Sequence, residues 1–136
     1  MAEENISQDE DSPCRVLVVD DDKPMRELLK ALLEGFGAVV IAEAENGEEA
    51  VRSFDEYLPD LTFLDIQMPI MDGRDALRTI IGKHSTAQLV MLTATSDMTV
   101  ADECIEIGAR GYIRKGAAPS ALRLMVKSQL DSFMAG

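Results

Sequence analysis

Five short apolar runs alternate with five stretches of helical periodicity along this 136-residue chain, and the alternation limits the folds that it can adopt. Strand-length runs without polar interruption are typical of strands covered on both faces of a sheet. We therefore predict five buried strands in an α/β fold, a doubly wound parallel sheet with helices on both faces and right-handed crossovers. The runs are RVLVV (15–19), AVVIA (38–42), LTFL (61–64), QLVML (88–92) and GYIR (111–114).

The segments between these runs carry signals for helix starts and stops. In the first segment apolar residues recur at i, i+3 and i+4, Pro24 suits the first turn, and Gly35 and Gly37 suit the exit. Asn46 is of a type that favours the N-cap of a second helix. Three further helices are predicted in GRDALRTII (73–81), VADECIEIGA (100–109) and PSALRLMVKSQLDSF, the last beginning at Pro119.

The charge of the chain is acidic and unevenly distributed. Asp and Glu number 25 against 13 Lys and Arg, which gives a formal net charge of −12 at pH 7. Residues 1–13 contain acids but no base, which predicts an acidic, disordered tail before a single folded domain at 14–136. A polyanion is repelled by this charge, and 4% aromatic residues provide few stacking surfaces. We therefore expect no direct nucleic-acid binding.

The cysteines and the N-terminus indicate a cellular location. Cys14 and Cys104 are far apart and belong to no Cys/His cluster, so we expect free thiols in a reducing compartment. The N-terminus lacks the basic and apolar regions of a leader, and no apolar run approaches the ~18 residues of a membrane span. We expect a cytoplasmic protein without a membrane span.

Polar residues follow four of the five predicted strands. Asp20 and Asp21 follow the first strand, Asp65 the third, Thr93 the fourth and Lys115 the fifth. The carboxyl ends of parallel strands lie at one edge of the sheet, where ligands collect, so these side chains are expected to converge. Two carboxylates ~4 Å apart repel by about 4 kcal/mol near a protein surface, and Mg²⁺ offsets such repulsion while keeping waters that a phosphoryl oxygen can replace.

Four segments together closely resemble the receiver domain of two-component response regulators. They are VLVVDDDKPMR (16–26), LTFLDIQMPIMDG (61–73), VMLTAT (90–95) and GARGYIRK (108–115). The resemblance extends from residue 15 to about 134 and is greatest to stand-alone receivers of the chemotaxis type, with no output domain. It implies a flavodoxin-like sheet with the strand order 2-1-3-4-5.

The resemblance also implies the chemistry of the site. Asp65 is implied to be the phosphoacceptor, a carboxylate nucleophile that takes a phosphoryl group from a histidine kinase or phosphotransfer protein. Mg²⁺ is implied to be bound by Asp21 and Asp65, by Asp20 directly or through a water, and by the backbone carbonyl of Gln67. The protein would catalyse only its own phosphorylation and dephosphorylation, and would signal to a partner or pass the phosphoryl group on in a phosphorelay.

Three further roles follow from the resemblance. Lys115 is implied to pair with Asp65 and then with the phosphoryl oxygens, and Thr93 to hydrogen-bond the phosphoryl group. Tyr112 matches the switch aromatic of the family, which turns inward when that threonine moves, a local charge event that biases a two-state element. Residues 99–134 are then implied to present the altered surface to a downstream protein.

Several positions are assigned structural roles or depart from the family. Asp22 is expected to cap the first helix, Asp72 to begin the third, and His84 to be solvated. The family usually has proline after the lysine, whereas this chain has Gly116. A Lys–Gly peptide is expected to be trans, because the cis form costs about 2.5–4 kcal/mol.

Two alternative functions remain open from the sequence. A haloacid dehalogenase-like phosphatase has an Asp-x-Asp motif after its first strand, for which Asp20 and Asp22 qualify, and a later strand-end hydroxyl, for which Thr93 qualifies. The second alternative is a receiver-like binding module that is not phosphorylated. Mg²⁺-dependent labelling of Asp65 distinguishes the receiver from both.

Overall fold

The structure, a computed structural model, describes residues 12–94 and 98–136. Its strands pair in parallel in the order β2-β1-β3-β4-β5, which confirms the predicted fold class and strand order. The predicted acidic tail lies largely on residues 1–11, outside the described residues. The elements are β1 (Arg15–Val19), α1 (Lys23–Gly35), β2 (Val39–Ala44), α2 (Gly47–Tyr57), β3 (Leu61–Asp65), α3 (Gly73–Lys83), β4 (Leu89–Thr93), α4 (Thr99–Ile107), β5 (Gly111–Arg114) and α5 (Pro119–Ala135).

The central and edge strands differ in burial. Every residue of β3 and β4 is buried, as the uninterrupted apolar runs predict. The prediction of full burial is wrong for β2 and β5, where only Ala44 and Ile113 are buried. Each of these strands has a neighbour on one side alone, so its covering helices leave the outer flank accessible to water. The runs in these strands are apolar because their side chains pack partly against a helix. Such packing does not require that both faces of the strand be buried.

The sheet separates two aliphatic cores. In β1 the side chains alternate, so that Val16 and Val18 join the core under α1 and α5 while Leu17 and Val19 join the core under α2, α3 and α4. Full burial of a valine or leucine side chain stabilises the folded state by about 1.5–3 kcal/mol relative to exposure. The side chains of β1 therefore stabilise the cores on both faces of the sheet. The strand that leads to Asp20 is therefore fixed from above and below.

Asn46 caps its helix as predicted, and Asp72, which was predicted only to begin a helix, also provides a cap. Asn46 Oδ1 accepts the backbone N–H of Glu49 at 2.9 Å, and Asp72 Oδ1 accepts that of Asp75 at 3.0 Å. The prediction of a cap at Asp22 is wrong, because Asp22 occupies the N-cap position of α1 but its side chain makes no capping hydrogen bond. The third residue of α1 is Met25, which corresponds to Glu49 and Asp75 in the other two helices, but its N–H receives no capping bond from Asp22.

His84 and the cysteines complete the comparison with the predicted structural roles. His84 is solvated only in part: its Nε2 lies 2.8 Å from Asp55 Oδ1, and its ring centroid lies 4.9 Å from that of Phe54. Cys14 and Cys104 are free, as predicted, and both are buried. No peptide bond between described residues is cis, and none of the described helices is long and apolar enough to cross a membrane.

Gly73 makes the closest backbone approach beside the predicted site. A Cβ atom on Gly73 would overlap the carbonyl oxygen of Asp65, and the Gly73 N–H donates to the carbonyl of Ile66 at 2.7 Å. The start of α3 therefore rests directly against the end of β3. A side chain at this position would force the two segments apart.

We expect Gly73→Ala to lower the free energy of unfolding by about 1–3 kcal/mol, because overpacking against a fixed backbone is relieved only by backbone movement. The matched control is Gly82→Ala in the same helix, where an added Cβ meets nothing within 4 Å. This control should be neutral or stabilise by up to about 1 kcal/mol, because alanine favours helix. Urea unfolding of both variants measures the difference, and equal stabilities would contradict the prediction.

Candidate metal centre

Three aspartates meet where β1 and β3 end. Asp20 and Asp21 directly follow β1, Asp65 is the last residue of β3, and one carboxylate oxygen from each lies within 4.8 Å of the others. Asp20 and Asp65 are 0% and 2% exposed, whereas Asp21 is exposed. The cluster thus combines two buried carboxylates with a third that faces solvent.

Lys115 brings a positive charge to this cluster from the segment after β5. Its Nζ lies 2.8 Å from Asp20 Oδ2 and 3.1 Å from Asp65 Oδ2, so one ammonium bridges both buried carboxylates. The Lys115 backbone N–H donates to the carbonyl of Thr93 at 2.8 Å, which fixes the lysine to the end of β4. Burial lowers the pKa of Lys115, but the nearby Asp20 and Asp65 outweigh burial and raise it above 10.5, so the side chain is charged.

Asp65 is difficult to ionise in this setting. Burial raises its pKa from 3.8 to about 7, the negative charge of Asp20 adds to the rise, and Lys115 opposes it. One ammonium shared between two carboxylates therefore compensates them incompletely. Additional positive charge at the cluster would favour the carboxylate form of Asp65 at neutral pH.

The donor set fits Mg²⁺. The Asp20, Asp21 and Asp65 side chains offer carboxylate oxygens, the ligands that Mg²⁺ prefers. Asp20 Oδ2 is buried and, among the described residues, receives no well-aligned hydrogen bond, although it pairs with the charge of Lys115. The exposed side at Asp21 suits an ion that usually keeps several of its waters.

The other predicted site residues lie on the same sheet but differ in environment. Thr93 ends β4 and is 2% exposed; it follows Leu92, the residue paired with Asp65. Gln67 is exposed in the segment between β3 and α3. Tyr112 is 37% exposed on β5. Their roles in phosphorylation and switching stay predictions.

Asp22 lies outside the group of carboxylates that can share a cation. It is exposed, and its backbone N–H donates to Asp20 Oδ1 at 2.9 Å. The phosphatase alternative uses Asp20 and Asp22 as a pair, whereas the structure groups Asp20 with Asp21 and Asp65. The arrangement therefore favours the receiver interpretation.

Arg26 is a site neighbour that the sequence interpretation missed. It is 9% exposed, its Nη1 donates to the carbonyl of Asp20 at 2.7 Å, and its Nε donates to Glu43 Oε1 at 3.0 Å. A signal for it exists in the sequence, because Arg26, Leu29 and Leu33 are spaced i, i+3 and i+7 on the buried face of α1. A charged residue on an apolar stripe indicates a buried, paired charge.

Comparison with known proteins agrees with the fold. The family model of the response regulator receiver domain matches residues 16–127. The chain is 41% identical to the chemotaxis protein CheY of Listeria monocytogenes over 101 residues. This alignment covers 74% of this chain and 85% of that protein. The chain is 39% identical over 106 residues to CheY of Thermotoga maritima, covering 78% of this chain and 88% of that one.

Solved structures show the same similarity. The response regulator domain of Thermotoga maritima CheB aligns with a TM-score of 0.83 at 27% identity, covering 91% of this chain and 98% of that chain. A CheX-CheY-BeF3-Mg²⁺ complex from Borrelia burgdorferi aligns with a TM-score of 0.82 at 30% identity, covering 88% of each chain. The chain belongs to the response regulator receiver domain family, a family of two-component signal transduction.

We expect Mg²⁺ to raise the melting temperature more at pH 8 than at pH 5. The folded-state pKa of Asp65, about 7, lies above its ordinary 3.8, so ionising this carboxylate costs native stability progressively as pH rises from about 4 to 7. A bound cation offsets that cost and competes with the proton below pH 7. Thermal melts with and without MgCl₂ at both pH values measure the effect.

The control for this experiment is Asp72→Asn, which removes a charge from the segment beside the site but keeps an oxygen that can cap α3. This variant should keep the pH-dependent Mg²⁺ response of the parent chain. A melting temperature that is indifferent to Mg²⁺ at both pH values would contradict the metal site.

Proposed function

We propose that this chain is a response regulator whose Asp65 accepts a phosphoryl group from the phosphohistidine of a kinase or phosphotransfer protein in a Mg²⁺-dependent reaction. The observation that carries the proposal is the grouping of Asp65 with Asp20, Asp21 and Lys115 at one edge of the sheet. Membership of the receiver family supports phosphorylation signalling as the general function.

The residues around Asp65 suit in-line transfer to a carboxylate. An Asp65 oxygen attacks phosphorus, a P–O bond forms, and the P–N bond to the donor imidazole breaks with its electrons leaving on nitrogen. Bound Mg²⁺ supplies charge neutralisation to the phosphoryl oxygens. Lys115 shifts from its present contact with Asp65 to a phosphoryl oxygen, and Thr93 at the end of β4 donates a hydrogen bond to the new group.

The output is proposed to be a change of protein-binding surface. Phosphorylation moves Thr93, Tyr112 turns inward from its half-exposed position, and residues 99–134 present a changed face to a downstream protein. Beyond this signalling, the chain catalyses only its own phosphorylation and dephosphorylation, or passes the phosphoryl group on in a phosphorelay. We place it in the cytoplasm, acting without direct nucleic-acid contact.

We expect acetyl phosphate with Mg²⁺ to phosphorylate the chain at Asp65, and beryllofluoride with Mg²⁺ to bind there. The similar Borrelia burgdorferi complex contains both beryllofluoride and Mg²⁺, which supports the choice of this probe. Asp65→Asn should abolish the phosphorylation, whereas Asp72→Asn should keep it, because Asp72 caps α3 and does not belong to the carboxylate cluster. Intact-mass spectrometry and peptide mapping measure the modification.

The alternatives give different results in this experiment. Labelling at Asp20 would favour the phosphatase and contradict the assignment of Asp65. An absence of Mg²⁺-dependent labelling in the folded wild-type chain would favour a binding module that is not phosphorylated. Labelling at Asp65 alone supports the receiver.

We expect Lys115→Ala to weaken beryllofluoride binding at least tenfold while leaving Mg²⁺ binding largely intact. The ammonium is the proposed partner of the phosphoryl oxygens, and such charge-assisted contacts contribute about 1.5–3 kcal/mol. Loss of a positive charge from an acidic cluster does not by itself disfavour a cation. Titration calorimetry measures both ligands.

The matched control is Lys127→Ala on α5, where the lysine pairs with Asp131 on the surface at 2.7 Å. This variant should bind both Mg²⁺ and beryllofluoride as the parent chain does. Wild-type beryllofluoride affinity in Lys115→Ala would contradict the role proposed for Lys115.

A further inference from the structure

We infer that Arg26 is a positioning residue for the metal centre, which holds the peptide joining Asp20 to Asp21 so that both carboxylates face Asp65. This inference rests on the Mg²⁺ site of the proposed function. It assigns to α1 a direct part in the geometry of a site formed otherwise by strand ends and by the segments that follow them.

The guanidinium contacts the one peptide that links the two adjacent aspartates of the cluster. Arg26 Nη1 donates to the carbonyl of Asp20 at 2.7 Å, and this carbonyl belongs to the planar unit that continues to Asp21. Fixing that plane restricts the directions in which the side chains on either side leave the backbone. Arg26 is 9% exposed, so water competes little for the contact.

Arg26 is itself held from the opposite side. Its Nε donates to Glu43 Oε1 at 3.0 Å, and Glu43 lies on β2, the strand paired with β1. The planar guanidinium therefore spans from the edge strand to the Asp20 carbonyl. Lysine cannot reproduce this arrangement, because it lacks a rigid fork of donors.

Main-chain contacts hold the rest of the same turn. The Asp20 N–H donates to the carbonyl of Ala44 at 3.1 Å, and the Arg26 N–H donates to the carbonyl of Asp22 at 3.1 Å. Arg26 thus contacts both ends of the acidic segment, Asp20 with its side chain and Asp22 with its backbone. The two contacts prevent the segment from relaxing away from Asp65 under like-charge repulsion.

Positioning and simple electrostatics predict opposite results for the loss of this arginine. If Arg26 acted on the cation only through its charge, removing the charge would strengthen Mg²⁺ binding. If it orients Asp20 and Asp21, removing it weakens Mg²⁺ binding even though a repelling charge is lost. The direction of the change therefore distinguishes the two effects.

The test is a calorimetric titration of Arg26→Met with MgCl₂, well below the melting temperature of the variant. We expect the dissociation constant to rise about tenfold, the lower end of the range typical when partners that orient metal ligands are removed. An unchanged or tighter dissociation constant would overturn the inference. A purely structural role would lower the free energy of unfolding without changing the Mg²⁺ affinity of the folded protein.

Two further variants keep the test decisive. Glu43→Gln retains an oxygen that accepts from Arg26 Nε, so it should weaken Mg²⁺ binding less than Arg26→Met does. If Arg26→Met does not fold, Arg26→Lys decides: it keeps the charge and loses the fork, so a wild-type Mg²⁺ affinity would overturn the inference and a loss would support it.

The same titration distinguishes this inference from the proposed function. Wild-type protein that binds no Mg²⁺ would overturn the proposed function and this inference with it. Wild-type binding together with equal binding by Arg26→Met would overturn this inference alone. Weaker binding by Arg26→Met, with wild-type phosphorylation confined to Asp65, supports both.

Discussion

The repulsion between buried carboxylates at the ends of β1 and β3 is the constraint on which the site depends. Asp20 and Asp65 are removed from water and share the single ammonium of Lys115, at 2.8 and 3.1 Å. Isolated buried charges of like sign are costly, so this edge is stabilised either by cations that compensate the charges or by protonation of Asp65. Lysine supplies part of that compensation permanently, and a divalent cation can supply the remainder reversibly.

The fold keeps these groups together through rigid contacts on both faces of the sheet. Side chains of β1 enter both aliphatic cores, Gly73 lets α3 rest on the carbonyl of Asp65, and Arg26 reaches the carbonyl of Asp20 from α1. These contacts hold the segments that carry the aspartates without using any carboxylate oxygen. Such preorganisation reduces the rearrangement that metal binding or phosphoryl transfer would need.

The α/β class and the grouping of the aspartates were predictable from periodicity and strand ends, whereas the strand order was predicted only from the resemblance to the receiver family. What escaped prediction depends on contacts between elements distant in the chain. Arg26 on α1 donates to the main-chain carbonyl of Asp20 and to Glu43 on β2. His84, which follows α3, contacts Asp55 on α2. The absent cap at Asp22 was not readable either, because the residue type favours capping and Met25 still offers an N–H at the position that Asn46 and Asp72 use in their helices. The exposure of β2 and β5 follows from their edge positions, which strand composition does not specify.

Because the pKa of Asp65 is raised, the site can bind a proton as well as a metal ion. With a pKa of about 7, this carboxyl is part protonated at neutral pH, and a cation that requires the carboxylate must expel that proton. The released proton is taken up by the surrounding buffer. The heat of metal binding near pH 7 will therefore include the ionisation enthalpy of the buffer, and its variation between buffers counts the protons displaced.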